Sequence, residues 1–338
     1  MRRVQAVTVG TLLVVLIAAC SSGGPARDTA GTATRRPTSA TSPTGSTTVN
    51  SGKATRAAAT RGCGVPADVA TIGAEAPGDV ASAITVDGVE RTYRLGIPTA
   101  YDPDEAAPVV MNLHGSGSTA LQASVYGGVT READERGFIS ITPDAIDGKW
   151  QLGGSGADHD FLLALVDDVE ARYCVDRDRV FLIGMSLGAW KAAATACAAA
   201  PVFAAIALVA VEVHPDDCPP IPTVAFHGTD DAVVPYGEGS GKTFPKSPNA
   251  GLPGTHENLA AWARGNDCDP KPAVKRIGAD VERWSYRNCT ADLDAYTVFG
   301  AGHTWPGADI EIGATTQTID ATQIAFDWFA AHPRSRAR

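Results

Sequence analysis

Gly184-Met185-Ser186-Leu187-Gly188 constrains the fold of this chain more than any other stretch. It lies between a short apolar run, Val180–Ile183, and an alanine-rich segment, Leu187–Ala200, closed by Pro201. A buried strand therefore passes into a helix through a very tight turn. Glycines two positions to either side of the serine remove side chains that such a turn would crowd. The turn lifts the serine hydroxyl off the sheet. It also aims the N-terminus of the next helix at any negative charge developing beside it.

The rest of the chain reads consistently with that unit. Ile84–Leu95 alternates around Asp87-Gly88, which predicts a hairpin. Short apolar runs at Val109–Leu113, Phe138–Thr142, Ala204–Val213 and Thr223–Phe226 predict buried strands, and Val281–Arg287 and Ala295–Phe299 two more. Thr130–Arg136 reads as the end of a helix, and helices are expected over Asp160–Tyr173 with apolar residues at 161, 162, 165, 166 and 169, over Glu257–Arg264 and over Ala321–Ala331. Apolar strands alternating with helices imply an α/β fold with a mostly parallel sheet covered on both faces, the hairpin adding antiparallel strands at one edge.

A serine nucleophile needs a base, and the base needs an acid to orient it. In a strand–turn–helix context such as this one the chain order is Ser, acid, His. Among the histidines after Ser186, His303 follows a strand and sits in the glycine-rich loop Gly300–Gly307, before the last helix. His227 ends a buried strand and reads as structural. The acid should follow Thr223–Phe226, where Asp230 and Asp231 compete and the residues alone leave the choice open. The first buried strand ends in Leu113-His114-Gly115-Ser116-Gly117, a glycine turn that brings backbone N–H groups toward the serine. The amides of Ser116 and Leu187 are the expected oxyanion donors, and His114, Trp150 and Trp305 the candidate pocket residues. Two other patterns are set aside. Gly115–Ala120 matches a dinucleotide fingerprint but leaves the serine and histidine loops unexplained. Gly237–Thr243 is one residue short of a phosphate loop and reads as a solvated loop. No metal-ligand spacing is present, so neither metal nor organic cofactor is expected.

The first residues read as an address. Arg2 and Arg3 precede the apolar run Leu12–Ala19, too short to span a bilayer, and then comes Cys20. Residues 1–19 are expected to be a signal peptide. Residues 20–61 are expected to be a flexible tether, since 32 of the 40 residues from 21 to 60 are Ser, Thr, Gly, Pro or Ala. Residues 62–338 are then a single folded domain. The charge divides with it: the first 61 residues carry net +7 and the remainder net −17, out of −10 for the 338-residue chain. A domain that acidic is a poor match for nucleic acid. Removing Cys20 leaves six cysteines, an even number that suggests disulfides in an exported protein. Of the 15 possible pairings, only Cys268–Cys289 is favoured, because these residues flank one excursion before a strand.

Leu16-Ile17-Ala18-Ala19-Cys20 resembles a bacterial lipobox, which implies that Cys20 is lipidated and anchors the domain outside the cell, at the membrane. Five ordered stretches carry a second resemblance: Val109–Gly115, Gly137–Asp144, Val175–Ser186, Phe226–Tyr236 and Gly302–Gly307. Over about residues 82–331 the chain resembles the polyhydroxybutyrate-depolymerase and feruloyl-esterase-like group of α/β-hydrolases, similar to carbohydrate esterase family one. The resemblance implies an eight- or nine-stranded hydrolase sheet without a large cap. It also implies a Ser186–Asp231–His303 triad, since the pattern G-T-x-D-x-x-V-P puts the acid at Asp231. Short acyl, feruloyl or acetyl-polysaccharide and hydroxyalkanoate esters are the implied substrates. Two departures, Ala189-Trp190 behind the serine turn and Asp158-His159-Asp160, weaken transfer of substrate preference from relatives. A cell-envelope acyltransferase using the same residues and a non-catalytic wall-binding lipoprotein are the alternatives. Partition of an acyl group between water and a sugar separates the first from a hydrolase, and Ser186-dependent turnover excludes the second. Oligomeric state stays open.

Overall fold

The computed structural model describes residues 60–67, 79–237 and 253–334. The expected signal peptide, Cys20, and the tether as far as residue 59 lie outside the described residues, as does most of the Gly237–Thr243 loop. Thr60 is buried; its Oγ1 donates to the Tyr173 carbonyl (2.6 Å) and accepts from the Val175 amide (2.9 Å). The packed chain thus already includes Thr60, which corrects the boundary expected at residue 62.

Six parallel strands form the centre of a ten-stranded sheet. In spatial order they are β4 (Ile139–Pro143), β3 (Ala107–Leu113), β5 (Val175–Met185), β6 (Ala205–Val209), β7 (Thr223–Gly228) and β10 (Leu293–Val298). The hairpin β1 (Val80–Val86) and β2 (Val89–Gly96) joins antiparallel beside β4. Its turn residues Asp87 and Gly88 both have positive φ (50° and 79°), as a two-residue hairpin of matching twist requires. At the other edge β9 (Val281–Ser285) and β8 (Ala273–Ile277) add antiparallel to β10. The tenth strand exceeds the eight or nine expected. β8 reads Ala-Val-Lys-Arg-Ile and is half-exposed, so no apolar run marks it.

The strands divide their side chains between two cores. Val109, Met111, Leu113, Leu182, Ile206 and Leu208 point to one face and pack with α3 (Ala157–Arg172), α4 (Leu187–Ala198) and α5 (Thr255–Gly265). Val110, Phe181, Ile183, Ala207 and Val209 point to the other and pack with α2 (Val129–Glu135) and α6 (Ala321–Ala331). This alternation within continuously apolar strands is the mark of a sheet buried on both sides. The run Ala204–Val213 is strand only as far as Val209. Ala210 turns out with φ 61°, and Val211 and Glu212 stay buried in the loop that follows. Apolar character there reports burial rather than pairing. Three disulfides join Cys63–Cys174, Cys197–Cys218 and the expected Cys268–Cys289. The second ties the α4 end to the loop after β6.

Candidate active site

Ser186 stands between β5 and α4 with φ 58° and ψ −124°, a strained backbone for a residue with a side chain. The neighbours that hold it explain the glycines. A Cβ on Gly188 would lie 2.1 Å from the Leu113 carbonyl oxygen, and one on Gly184 would lie 2.5 Å from the Gly188 carbonyl group. The Ser186 amide donates to the Val209 carbonyl (2.8 Å), which fixes the turn against β6.

The loop after β3 passes directly alongside. A Cβ on Gly115 would sit 3.4 Å from the Ser186 Cβ. The Gly117 amide donates to the Gly148 carbonyl and the Ser118 amide to the Gly115 carbonyl. Among the described residues, the amides of Ser116 and Leu187 donate to no protein acceptor, as oxyanion donors require. His114 shapes this loop. Its Nε2 accepts from the Ala145 amide (3.0 Å), so the proton sits on Nδ1, which donates to the Gly115 carbonyl (2.7 Å). Burial lowers its pKa, and the ring is a neutral brace at the floor of the site. Trp150 lies outside the cavity, contrary to the sequence expectation. It is core: the indole N–H donates to the His114 carbonyl (2.8 Å) and the ring packs 5.0 Å from the imidazole.

Asp231 and His303 come from the loops after β7 and β10, which pair in parallel. A Cβ on Gly228 would strike the Ala301 carbonyl at 2.3 Å, so only glycine lets these loops approach so closely. The His303 Nδ1–H donates to Asp231 Oδ2 at 2.6 Å. Asp231 Oδ1 accepts from the amides of Val233 and Val234 (2.8 and 2.9 Å). Burial by itself would raise the Asp231 pKa; hydrogen bonds from His227, His303 and the Val234 amide outweigh it and hold the carboxyl well below the usual range. Asp230 is exposed and, among the described residues, its side chain accepts only from its neighbour Thr229. The ambiguity between the two aspartates is a matter of which side of the turn faces inward.

Ser186 and His303 line one cavity of about 570 Å³, together with Ser116, His114 and Trp305. Among the described residues, no Asp, Glu, Lys or Arg lines it. Trp305 is wedged in place, its indole N–H on Thr322 Oγ1 (2.9 Å) and its amide on the Tyr126 hydroxyl (3.0 Å). The mouth carries exposed apolar side chains, Leu121, Val125, Ile310 and Ile312. Leu121 and Val125 belong to α1 (Ala120–Tyr126), a helix the apolar pattern did not reveal. Its start was marked by Thr119 followed three residues later by Gln122; Thr119 caps the helix by accepting from the Gln122 amide. Asp158, the first residue of the Asp158-His159-Asp160 departure, accepts from Arg91 (2.7 Å) and from the Gln151 amide (2.6 Å). It pins the loop carrying Trp150 and takes no part in the cavity.

A serine on a strained strand-to-helix turn, with an Asp–His pair on later strands of a mostly parallel sheet, defines an α/β-hydrolase. The fold likeness agrees: an acetyl xylan esterase from Aspergillus awamori superposes with a TM-score of 0.55 at 16% identity, over 74% of this chain and 99% of that one. Residues 92–216 match the family described as Esterase PHB depolymerase. "Putative esterase NocK" of Nocardia uniformis subsp. tsuyamanensis is 28% identical over 279 residues, 72% of this chain and 80% of that protein. Feruloyl esterase B of Piromyces equi is 27% identical over 230 residues, 63% of this chain; the match spans 42% of that longer protein. The chain is similar to polyhydroxybutyrate-depolymerase-type and feruloyl esterases, and it is a carboxylic ester hydrolase.

Proposed function

We propose that the chain hydrolyses esters of apolar, uncharged acyl groups through an acyl-enzyme on Ser186. His303 takes the Ser186 proton as the hydroxyl oxygen attacks the ester carbonyl. Asp231 holds the imidazole by its Nδ1–H and balances the charge the ring gains. The Ser116 and Leu187 amides receive the oxyanion, an interaction worth about 2.7–4 kcal/mol per donor in a comparable enzyme. His303 then returns the proton to the departing alcohol and activates the water that releases the acid. The observation that carries the reading is the placement of Ser186 and His303 on one cavity, with Asp231 hydrogen-bonded to His303 behind it. Three disulfides support an oxidising compartment outside the cytoplasm, where the proposed Cys20 lipid and tether would hold the domain near the membrane. Feruloyl, acetyl and hydroxyalkanoate esters, including those on polysaccharide or polyester, are the substrate classes proposed.

Diethyl p-nitrophenyl phosphate tests the covalent step. Ser186 Oγ displaces p-nitrophenolate, and a diethylphosphoryl group remains on the peptide that contains Ser186. One adduct per chain at that peptide, with parallel loss of esterase activity, is the expected result; labelling elsewhere, or none, overturns the reading.

The rim makes a separate prediction about the acyl group. Ile312 lines the mouth and is 64% exposed without a substrate. Covering part of such a side chain is worth about 1–2 kcal/mol. Ile312→Asp should therefore lower kcat/KM for p-nitrophenyl octanoate by about tenfold. Turnover of p-nitrophenyl acetate, too short to reach the rim, should change by less than about twofold. Equal losses on both esters would remove the rim from the acyl site.

A further inference from the structure

Behind Asp231 lies a second histidine that the proposed mechanism does not use. His227, at the end of β7, is buried, and so is Glu212 in the loop after β6. His227 Nδ1 is 2.8 Å from Glu212 Oε2 and 3.0 Å from Thr255 Oγ1. Its Nε2 is 3.0 Å from the Val234 carbonyl oxygen and 3.4 Å from Asp231 Oδ2. A carbonyl and a carboxylate can only accept, so Nε2 must carry a hydrogen. A carboxylate faces Nδ1, so that nitrogen carries one too. A neutral ring would turn a lone pair toward oxygen lone pairs at one end or the other, in a place water does not reach. With Glu212 and Asp231 both ionised, the ring between them is an imidazolium.

We propose that His227 is a positioning residue for the reaction: a permanent buried cation, held by Glu212, that fixes Asp231 from behind and limits how strongly Asp231 attracts a proton to His303. The inference rests on the Ser186–His303–Asp231 reading above. Asp231 Oδ2 is the shared atom, 2.6 Å from His303 Nδ1 on one side and 3.4 Å from His227 Nε2 on the other. Asn258 supports the far end by donating to Glu212 Oε1 (3.3 Å). The Trp262 indole N–H donates to the Glu212 carbonyl (2.8 Å). The other titratable group against the ring is Tyr236, edge-on at 5.6 Å, with His256 beyond it at 5.5 Å from the phenol ring. Burial would push His227 down and Glu212 up; the opposite charges outweigh it, holding Glu212 below the carboxylate range and His227 up to about 10. With a carboxylate on each side of it, the cation leaves Asp231 ionised without giving it the full pull of an unpaired buried anion. The field that Asp231 exerts on His303 is weakened accordingly.

Two variants move the acid limb of the kcat/KM–pH profile in opposite directions. Glu212→Gln with His227→Gln removes the pair at no net charge, but takes the cation away from the nearer position. His303 then holds its proton more tightly, and the limb shifts to higher pH by about half a unit to one unit. Glu212→Gln alone leaves the cation with one counter-ion fewer, and the limb shifts to lower pH. A merely structural role would lower activity evenly across pH; unmoved limbs, or two shifts of the same sign, overturn the inference. Nitrogen NMR of the unaltered chain carrying labelled histidine gives a readout that needs no variant to fold. Both His227 ring nitrogens should stay protonated from about pH 5 to about pH 9. A His227 ring that gives up a proton near neutrality refutes the buried cation. Esterase activity that survives loss of Ser186 would refute the catalytic reading instead, and would leave the NMR result standing.

Discussion

Ser186→Ala is expected to lower kcat on p-nitrophenyl butyrate by about 10⁴- to 10⁶-fold, the largest effect any single substitution in this chain should produce. The hydroxyl is the only group lost. The backbone at φ 58° is equally strained for serine and alanine, and the glycines that permit the turn are untouched. The melting temperature should therefore stay close to that of the unaltered chain, which separates loss of chemistry from loss of fold. Some turnover above the uncatalysed rate should remain, because the Ser116 and Leu187 amides and the cavity still bind and polarise the ester. His303→Gln should cost nearly as much. Combined with Ser186→Ala it should cost little more, since base and nucleophile act as one unit. A single variant that keeps a tenth of the activity, or a double variant whose losses multiply, would place the nucleophile elsewhere.

How far the sequence alone reaches can be seen in which residues it exposed. The turn that carries Ser186 was legible because its backbone demands glycine on both sides. Gly184 and Gly188 clear space that a carbonyl group occupies, and such requirements leave a local mark. The parallel strands were legible because burial on both faces makes them continuously apolar. β8 was not, because an edge strand with exposed Lys275 and Arg276 carries no apolar pattern, and its pairing with β9 is settled only in three dimensions. Trp150 and Trp305 are alike in sequence terms, each an aromatic residue near a glycine loop. What separates them is the direction of an indole N–H, toward the His114 carbonyl for one and the Thr322 hydroxyl for the other. The apolar rim was hidden for a different reason: Leu121 and Val125 come from α1, Ile310 and Ile312 from a loop far along the chain, and only the fold assembles them. Glu212 did leave a signal, a carboxylate inside the apolar run Ala204–Val213. A charge there has to find a partner, and His227 was the candidate already in view.

The two adjacent aspartates offer the sharpest test of which of them acts. Asp231→Asn should lower kcat by about 10³- to 10⁴-fold with KM little changed, whereas Asp230→Asn should leave both within about twofold. The asymmetry follows from the turn. Asp231 Oδ1 is occupied by two backbone amides, so Oδ2 is the oxygen that His303 Nδ1–H reaches. An asparagine held by the same amides would keep its oxygen at that first position and present its NH₂ to His303. The imidazole would then accept at Nδ1 and carry its hydrogen on Nε2, the nitrogen that must take the Ser186 proton. The base is lost with its geometry intact. The same substitution should alter acid unfolding. The folded-state pKa of Asp231 lies below its unfolded value, so its charge stabilises the fold above about pH 4 and that stability is lost as pH falls further. In Asp231→Asn this contribution is absent at every pH. His227 also keeps only one of its two carboxylates, so the variant should be less stable than the unaltered chain near neutral pH, and the two should converge in acid. Urea midpoints measured from about pH 7 down to about pH 3 would show the gap closing. A gap that stayed constant, or an Asp230→Asn variant with the kinetic defect, would assign the acid to the wrong residue.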